Sequence, residues 1–268
     1  MGYILIICSI AVWAYMSIWF VLALLRKDNS LADVAWGLGF VLLAGLTLGL
    51  RHEYAARQIL VSTLVLVWGV RLAGHVFGRN RKRGEDWRYA AWRARWGKWF
   101  GLRSYLQVFL LQGLFLLVIS YTVMAINSLP KKGLGWGDLA GGMLWLLGFL
   151  FEVVADRQLA RFKREPGNRG RIMTAGLWRY SRHPNYFGEA LMWWGICVLA
   201  LTAGSGWAAL ASPLLITFLL RFVSGVPMLE RKYGGNAEFQ AYARRTNAFI
   251  PWFPKKEKGD APAGRPLE

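Results

Sequence analysis

The sequence contains little cysteine and few acidic residues. Its two cysteines, Cys8 and Cys197, both lie inside apolar runs, which excludes a disulfide framework and a thiolate metal site, so we predict no metal. The 268 residues include 15 Asp and Glu against 33 Lys and Arg, giving a formal net charge of +18. There is no internal repeat, and no stretch long and polar enough to form a separate soluble domain.

Apolar runs make up most of the chain. Hydrophobic residues account for 55% of the sequence, which includes 15 Trp. Runs of roughly 17 to 25 apolar residues recur, and a helix of that length crosses a bilayer. We therefore predict an all-α, polytopic membrane helix bundle. Residues 1–254 should form one membrane domain, and residues 255–268 a disordered cytosolic tail. The seven predicted spans are about 3–25, 31–50, 59–77, 105–127, 137–155, 186–203 and 207–225.

Membrane topology explains most of the excess positive charge. With the amino terminus outside, the inner segments hold 27 Lys and Arg and the outer loops hold four. Short cytosolic loops are rich in basic residues, so the carboxyl terminus is predicted to lie on the cytoplasmic side of the membrane. The membrane itself is predicted to be a bacterial inner membrane. The basic, Trp-rich segment 79–103 resembles a single-stranded nucleic-acid site in composition, but among membrane spans it is interpreted as lying on an anionic leaflet.

One stretch joins a basic loop to an apolar helix, GLWRYSRHPNYFGEALMWW at 176–194. Pro184 favours a helix start at about this position. The amino terminus of the helix would then lie beside Arg179, Arg182 and His183, and helix termini flanked by basic groups bind anions. The junction is therefore predicted to be an anion site in front of a buried groove.

Polar side chains continue from this junction into the sixth span. Asn185 could pair with a carboxamide, although helix capping also explains it. Glu189 lies one turn deeper, where a lone carboxylate brings no benefit to a membrane helix. A cytosolic dinucleotide such as NADPH needs cationic groups for its phosphates. Arg171, Arg179 and Arg182 are candidates, and membrane topology is the alternative explanation for them.

The amino-terminal half contains two further candidates. Ser30 and Asp33 have the spacing of a capping box, so Asp33 has a structural as well as a catalytic interpretation. His75 lies one turn beyond Arg71 in the third span. Ionisable side chains in a span face a cavity or a partner, or extend to the headgroups, and both interpretations apply to this pair.

The run RIMTAGLWRYSRHPNYFGEALMWWG at 171–195 resembles the carboxyl-terminal region of the steroid 5-alpha-reductase family, and more specifically its bacterial branch of unknown function, DUF1295. Isoprenylcysteine methyltransferases have a similar Arg-His-Pro-x-Tyr element. The resemblance to the DUF1295 branch covers most of the chain. Its other segments are NSLADVAW at 29–36, RGEDWRY at 83–89, FEVVADRQLARFK at 151–163 and SGVPMLE at 224–230.

The resemblance implies a seven-helix bundle that is open to the cytosol and binds NADPH among its last helices. Asn185 and Glu189 would lie near the nicotinamide, and Asp156 and Arg171 near the adenine ribose and phosphates. The remaining residues implied in cofactor binding are Trp193 and Arg221, which would line the slot, and Arg179 and Tyr180 in the loop.

The chain also departs from the steroid reductases, which use a Gln-Glu pair and a Tyr to polarise the substrate oxygen. Here Asp33 and His75 stand in their place, and with Glu189 they are the predicted catalytic residues. The favoured function is NADPH-dependent hydride transfer to an activated C=C bond of a lipophilic, steroid- or enone-like substrate. Membrane lipids are the further partners that we predict, and nucleic acid is not expected to bind. The alternatives are an S-adenosylmethionine-dependent membrane methyltransferase of the isoprenylcysteine type and a non-catalytic lipid-binding or scaffold protein.

Cysteine labelling tests the predicted orientation. A cysteine placed in the 79–103 segment should react with an impermeant reagent only after the membrane is opened, because the basic segment is cytosolic. A cysteine in place of Lys131 should react in intact cells. The reverse pattern would contradict the orientation and with it the cytosolic cofactor site.

Overall fold

The computed structural model describes residues 1–51, 54–81, 84–130 and 133–255. Throughout these residues the regular structure is helical, with no β-strand. Within them, seven segments are long and apolar enough to cross a membrane: Gly2–Arg26, Leu31–Arg51, Ala56–Asn80, Trp87–Ser128, Trp136–Arg164, Pro184–Ala203 and Trp207–Tyr233. The prediction of an all-α polytopic membrane bundle is confirmed. Lys131 and residues 256–268 of the predicted tail lie outside the described residues.

The first half of the chain forms six helices. They are α1 (Gly2–Arg26), α2 (Leu31–Arg51), α3 (Ala56–Asn80), α4 (Trp87–Trp96), α5 (Phe100–Ser104) and α6 (Leu111–Ser128). A 3-10 turn at Gly97–Trp99 joins α4 to α5, and a π-helical stretch at Tyr105–Leu110 joins α5 to α6. The fourth span is therefore continuous with most of the basic segment that precedes it.

The second half begins with the longest helix of the described chain. Its helices are α7 (Trp136–Arg164), α8 (Pro184–Ala203), α9 (Ala211–Phe218), α10 (Val226–Tyr233) and α11 (Ala237–Arg245). Short 3-10 turns lie at Pro166–Asn168, Gly176–Arg179 and Trp207–Leu210, and a π-helical stretch at Leu219–Val223 follows α9. The predicted seventh span therefore consists of several helical pieces rather than one uniform helix.

The chain divides into two compact units. Unit 1 contains Met1–Gly142 and Gly195–Leu215, and unit 2 contains Met143–Trp194 and Ile216–Glu268, described up to residue 255. Helices α7 and α8 each contribute residues to both units. The single membrane domain expected from the sequence stays a prediction.

The structure differs from the predicted spans in two places, and each difference has a local cause: a helix, α4, precedes the predicted fourth span, and α7 continues beyond the end of the predicted fifth span. The start of α4 is capped, because the Asp86 carboxylate accepts the Arg88 backbone N–H at 3.0 Å. Trp92 and Trp96 then stack one turn apart, with ring centroids 5.4 Å apart. Helix α7 continues to Arg164, nine residues beyond the predicted end at 155, because a helix does not stop where its sequence becomes polar.

A buried ion pair joins the first turns of α3 and α7 in unit 1. Arg57 Nε donates to Asp138 Oδ1 at 2.6 Å and Arg57 Nη2 donates to Asp138 Oδ2 at 2.8 Å, a bidentate pair. Arg51 Nη2, at the end of α2, donates to the carbonyl of Ser128, at the end of α6, at 3.0 Å. The start of α3 therefore lies beside the start of α7, and the end of α2 beside the end of α6.

In unit 2 the backbones of α7 and α8 meet at two glycines. A Cβ atom on Gly188 would lie 2.5 Å from the Gly148 carbonyl oxygen and 2.7 Å from the Glu152 backbone nitrogen. A Cβ on Gly148 would lie 2.6 Å from the Gly188 carbonyl oxygen. Small residues allow such close helix packing in membrane proteins. This contact fixes which turns of α7 and α8 face each other.

Gly188→Ala should lower the thermal stability of the detergent-solubilised protein. The added methyl group meets backbone atoms, which cannot rotate away, so we expect a cost of about 1–3 kcal/mol, typical of overpacking. Gly142→Ala on α7 is the matched control, since a Cβ there meets nothing within 4 Å. Equal melting temperatures for the two variants would show that the contact between α7 and α8 does not limit stability.

Candidate functional site

The stretch 176–194 has the local structure predicted from its sequence. A 3-10 turn covers Gly176–Arg179, and α8 begins at Pro184. Gly176 has φ 63°, and a Cβ there would lie 2.5 Å from the side-chain nitrogen of Gln158 on α7. The Gln158 side-chain oxygen accepts the Leu177 N–H at 3.0 Å. Glycine is therefore required where the loop packs against α7.

The loop 176–183 is held from its other side by the carboxyl-terminal segment 246–255. The Tyr242 hydroxyl of α11 also donates to the carbonyl of Trp178. Because hydrogen bonds fix the backbone on both sides, this loop is a rigid part of unit 2. Among the bonds that join the loop to the segment are those of Arg182 N–H to the Asn247 carbonyl at 2.9 Å, Ser181 Oγ to the Phe249 carbonyl at 2.7 Å, and Trp252 N–H to the Tyr180 carbonyl at 2.9 Å.

Arg182 uses its guanidinium to hold this arrangement together. Its Nε donates to Glu230 Oε1 on α10 at 2.8 Å. Its Nη1 donates to the Ala243 carbonyl at 2.9 Å and to the Thr246 carbonyl at 2.5 Å. The group is occupied by protein partners, so the expectation that Arg182 binds a phosphate is not supported. Its physical role is to join α10, α11 and the loop.

His183 is likewise part of the protein interior. Its ring stacks on Tyr186 with centroids 5.5 Å apart, and its Nε2 lies 3.4 Å from Glu230 Oε1. Burial lowers the pKa of His183 below its ordinary value, and the Glu230 carboxylate opposes only part of that shift. A neutral, buried imidazole adds no charge to an anion site. The cluster of three basic groups predicted beside α8 is therefore reduced to Arg179, which is exposed.

Helices α7 and α8 bring buried polar side chains to the same region of unit 2. Glu152 and Asp156 lie one turn apart on α7, with 3% and 8% of their surfaces exposed, and Glu189 on α8 is 6% exposed. Asn185 Nδ2 donates to Asp156 Oδ1 at 3.2 Å across the two helices. The buried Oδ1 atom of Asn185 accepts no hydrogen bond from the described residues. A buried, unpaired amide oxygen is costly and indicates a missing partner.

The other residues predicted to bind a cofactor also belong to unit 2. Trp193 is buried one turn beyond Glu189 on α8, and Arg171 is exposed in the loop before Gly176. Tyr180 packs its ring edge-on against Phe253, with centroids 6.0 Å apart. Arg221 lies in the π-helical stretch, with its guanidinium 5.1 Å from the centre of the Phe222 ring.

In unit 1, Asp33 has partners that the sequence did not indicate. Arg88 Nη2 donates to its Oδ2 at 2.5 Å, and the Tyr89 hydroxyl donates to its Oδ1 at 2.6 Å. The capping box is not formed, because the Ser30 N–H donates to Asp28 Oδ1 at 2.8 Å and the Asp33 N–H donates to the Ser30 carbonyl at 3.1 Å. The capping interpretation of Asp33 is therefore wrong. Arg88 and Tyr89 lie in the basic segment 79–103, whose interpretation as a membrane-surface helix does not connect them to Asp33.

Burial and hydrogen bonding act in opposite directions on Asp86, the neighbour of this ion pair. Burial alone would raise the pKa of Asp86, but the hydrogen bonds and charge of Arg88 lower it below its ordinary value. Arg88 Nε donates to Asp86 Oδ1 at 2.9 Å and so bridges Asp86 and Asp33. His75 and Arg71 are half-buried on successive turns of α3.

A cavity of about 500 Å³ lies elsewhere in unit 1 and contains none of the predicted site residues. It is lined by the α1–α2 connection and the end of α3, including Arg26, Asp28, Ser30, Phe77 and Asn80. Within the described residues, no group of three His, Cys, Asp or Glu side chains is placed to hold a metal ion.

Comparison with known proteins identifies the family. The family model described as "Protein of unknown function (DUF1295)" matches residues 19–246. The chain belongs to the DUF1295 family. The match includes the whole of the 176–194 stretch, both buried acids of α7 and the Asp33 ion pair.

Individual relatives match this DUF1295 protein over shorter regions. An uncharacterized protein of Schizosaccharomyces pombe is 29% identical over 168 residues, 54% of this chain and 49% of its own length. A 3-oxo-5-alpha-steroid 4-dehydrogenase 1 of Bos taurus is 42% identical over 71 residues, 26% of this chain and 27% of its own. Steroid 5-alpha-reductase DET2 of Gossypium hirsutum is 34% identical over 64 residues, 24% and 25% respectively. The matched regions therefore span half or less of each relative.

Proposed function

We propose that this DUF1295 protein is a membrane-embedded, NADPH-dependent reductase that acts on an activated C=C bond of a lipophilic, steroid- or enone-like substrate. The similarity to two steroid 5-alpha-reductases supports this reaction class. The buried polar cluster of α7 and α8 supports a cofactor with a polar head and a planar ring. The substrate class follows from the bilayer, which concentrates apolar molecules around the spans.

The observation that carries the proposal is the unpaired side-chain oxygen of Asn185. It lies on a helix of membrane-spanning length, and its own Nδ2 already donates to Asp156. An amide oxygen in that state accepts a hydrogen bond from an N–H donor, and the carboxamide of nicotinamide supplies one. Glu189, one turn deeper, would orient the same ring.

The remaining residues fit the rest of a phosphorylated dinucleotide. Arg171 and Arg179 are exposed guanidinium groups on the loop before α8, where they can pair with phosphates bidentately. Asp156 would accept hydrogen bonds from a ribose hydroxyl, and Trp193 and Arg221 would line the slot. A bound NADPH would supply the hydride.

Reduction of a C=C bond adds a hydride to one carbon and a proton to the other, so the protein must also provide an acid. Asp33 is ion-paired with Arg88 and accepts a hydrogen bond from Tyr89. Both of its carboxylate oxygens are thus already engaged by protein donors. We therefore assign the proton to His75, whose side-chain type titrates near neutral pH, and a supporting role to Asp33.

Arg171→Ala should weaken binding of NADPH by about tenfold or more, because a charge-assisted hydrogen bond contributes about 1.5–3 kcal/mol. The loss for NADH should be smaller, since NADH lacks the ribose phosphate. Both affinities can be measured by calorimetry on the protein in nanodiscs. Arg169→Ala, two residues away and equally exposed, is the matched control and should change neither affinity.

Equal losses for NADPH and NADH would show that Arg171 does not recognise the ribose phosphate. Mass spectrometry of the co-purified cofactor tests the reaction class independently. A nicotinamide dinucleotide supports reduction, whereas S-adenosylmethionine would support methyl transfer and contradict the proposal.

His75→Gln should lower turnover by about a hundredfold or more while NADPH binding is retained, since general acids contribute at least that much. Asp33→Asn should instead lower the melting temperature, because Arg88 loses a charged partner. The comparison requires single-turnover rates and melting curves for both variants. Near-normal turnover in His75→Gln, with a large loss in stably folded Asp33→Asn, would transfer the acid role to Asp33.

A further inference from the structure

The carboxyl-terminal segment exposes three large apolar side chains. Ile250, Trp252 and Phe253 are 62%, 66% and 76% exposed. They lie beyond the last candidate span, which ends at Tyr233, so the hydrocarbon around a membrane helix does not account for them. We call these three side chains the apolar edge.

The apolar edge is held in place by its backbone. The Trp252 N–H donates to the Tyr180 carbonyl at 2.9 Å, and the Lys255 N–H donates to the Arg245 carbonyl at 2.9 Å. Phe249, one residue before the edge, is buried with 8% of its surface exposed. The segment therefore directs one aromatic ring inward and keeps the edge outward in a fixed geometry.

Ring contacts place the segment at the level where α8 begins. Phe249 packs against Phe187, in the first turn of α8, with centroids 6.1 Å apart. Phe253 packs against Tyr180, four residues before the helix start. Helix α8 is a candidate membrane span that starts at Pro184, so the edge lies level with the first turn of a helix long and apolar enough to cross a bilayer. A bilayer boundary at that level would place the edge where the headgroups meet the acyl chains.

The chemistry of the edge and its surroundings matches that boundary. Trp is enriched where the headgroups meet the acyl chains, because its ring is large, apolar and carries one polar N–H. Exposed basic residues flank the edge in sequence, at Arg244, Arg245 and Lys255. Basic side chains beside an apolar anchor favour anionic phospholipids.

We propose that the apolar edge inserts into the phospholipid interface of the leaflet at which α8 begins. Inserted there, Ile250, Trp252 and Phe253 attach that leaflet to the loop 176–183 through the hydrogen bonds described above. The loop that carries Arg179 and Tyr180 is thereby held at the leaflet surface. This inference does not depend on the proposed reductase activity.

Depth-dependent fluorescence quenching tests the proposal. Phe253→Cys is labelled with a nitrobenzoxadiazole dye in bilayers of phosphatidylcholine and phosphatidylglycerol, and Glu238→Cys, at an exposed position of α11, is the matched control. The native Cys8 and Cys197 are buried, so the unsubstituted protein reports background labelling. Interfacial anchors lie roughly 5–10 Å inside the headgroup boundary. The label at 253 should therefore be quenched severalfold more by a shallow nitroxide lipid, and severalfold less by aqueous iodide, than the label at 238.

Two results would overturn the proposal. Equal iodide quenching at 253 and 238 would show that the edge faces water. Protection from iodide without quenching by the nitroxide lipid would show that protein, such as a second copy of the chain, covers the edge instead. Because Phe253 is largely exposed, its substitution leaves the packing of Phe249 against Phe187 in place.

Discussion

The close approach of α7 and α8 at Gly148 and Gly188 is the constraint on which the candidate site depends. With no side chain between them, the backbones bring Asp156 within hydrogen-bonding distance of Asn185, across a helix pair of membrane-spanning length. A larger residue at either glycine would separate the helices and break that bond. The polar cluster is thus a consequence of helix packing. The Asn185 side-chain oxygen, which accepts no hydrogen bond from the described residues, shows that this packing does not satisfy every hydrogen-bonding group of the cluster.

The basic side chains of the loop beside this cluster are of two kinds, those buried in contacts with the protein and those exposed at its surface. Arg182 is used inside the protein, where it joins Glu230 to the carbonyl groups of the carboxyl-terminal segment, and His183 is buried and largely neutral. Arg179 and Arg171 remain exposed. A loop in which structural cations fix the backbone can present its other cations in a defined position, which is what recognition of a phosphate requires.

The all-α class and the seven candidate spans could be predicted from the sequence because a run of about 20 apolar residues has one stable form in a bilayer. The start of α8 could also be predicted, since Pro184 is favoured only in the first turn. The side-chain partners could not. Arg182 and Glu230 are 48 residues apart in the chain, and no local pattern connects them. The extension of α7 to Arg164 was missed for another reason: hydropathy detects the membrane, not the helix.

Asp33 shows why a local motif can mislead. Asp33 lies three positions after Ser30, as in a capping box, but that spacing also occurs wherever a turn enters a helix. The alternative partner, Arg88, lies 55 residues further along the chain and offers a charge that a backbone N–H cannot match. An ion pair half-buried from water outcompetes the cap, and it leaves the carboxylate as an acceptor. Because Arg88 and Tyr89 engage both Asp33 oxygens, the interpretation of Asp33 bears on the role that we propose for His75.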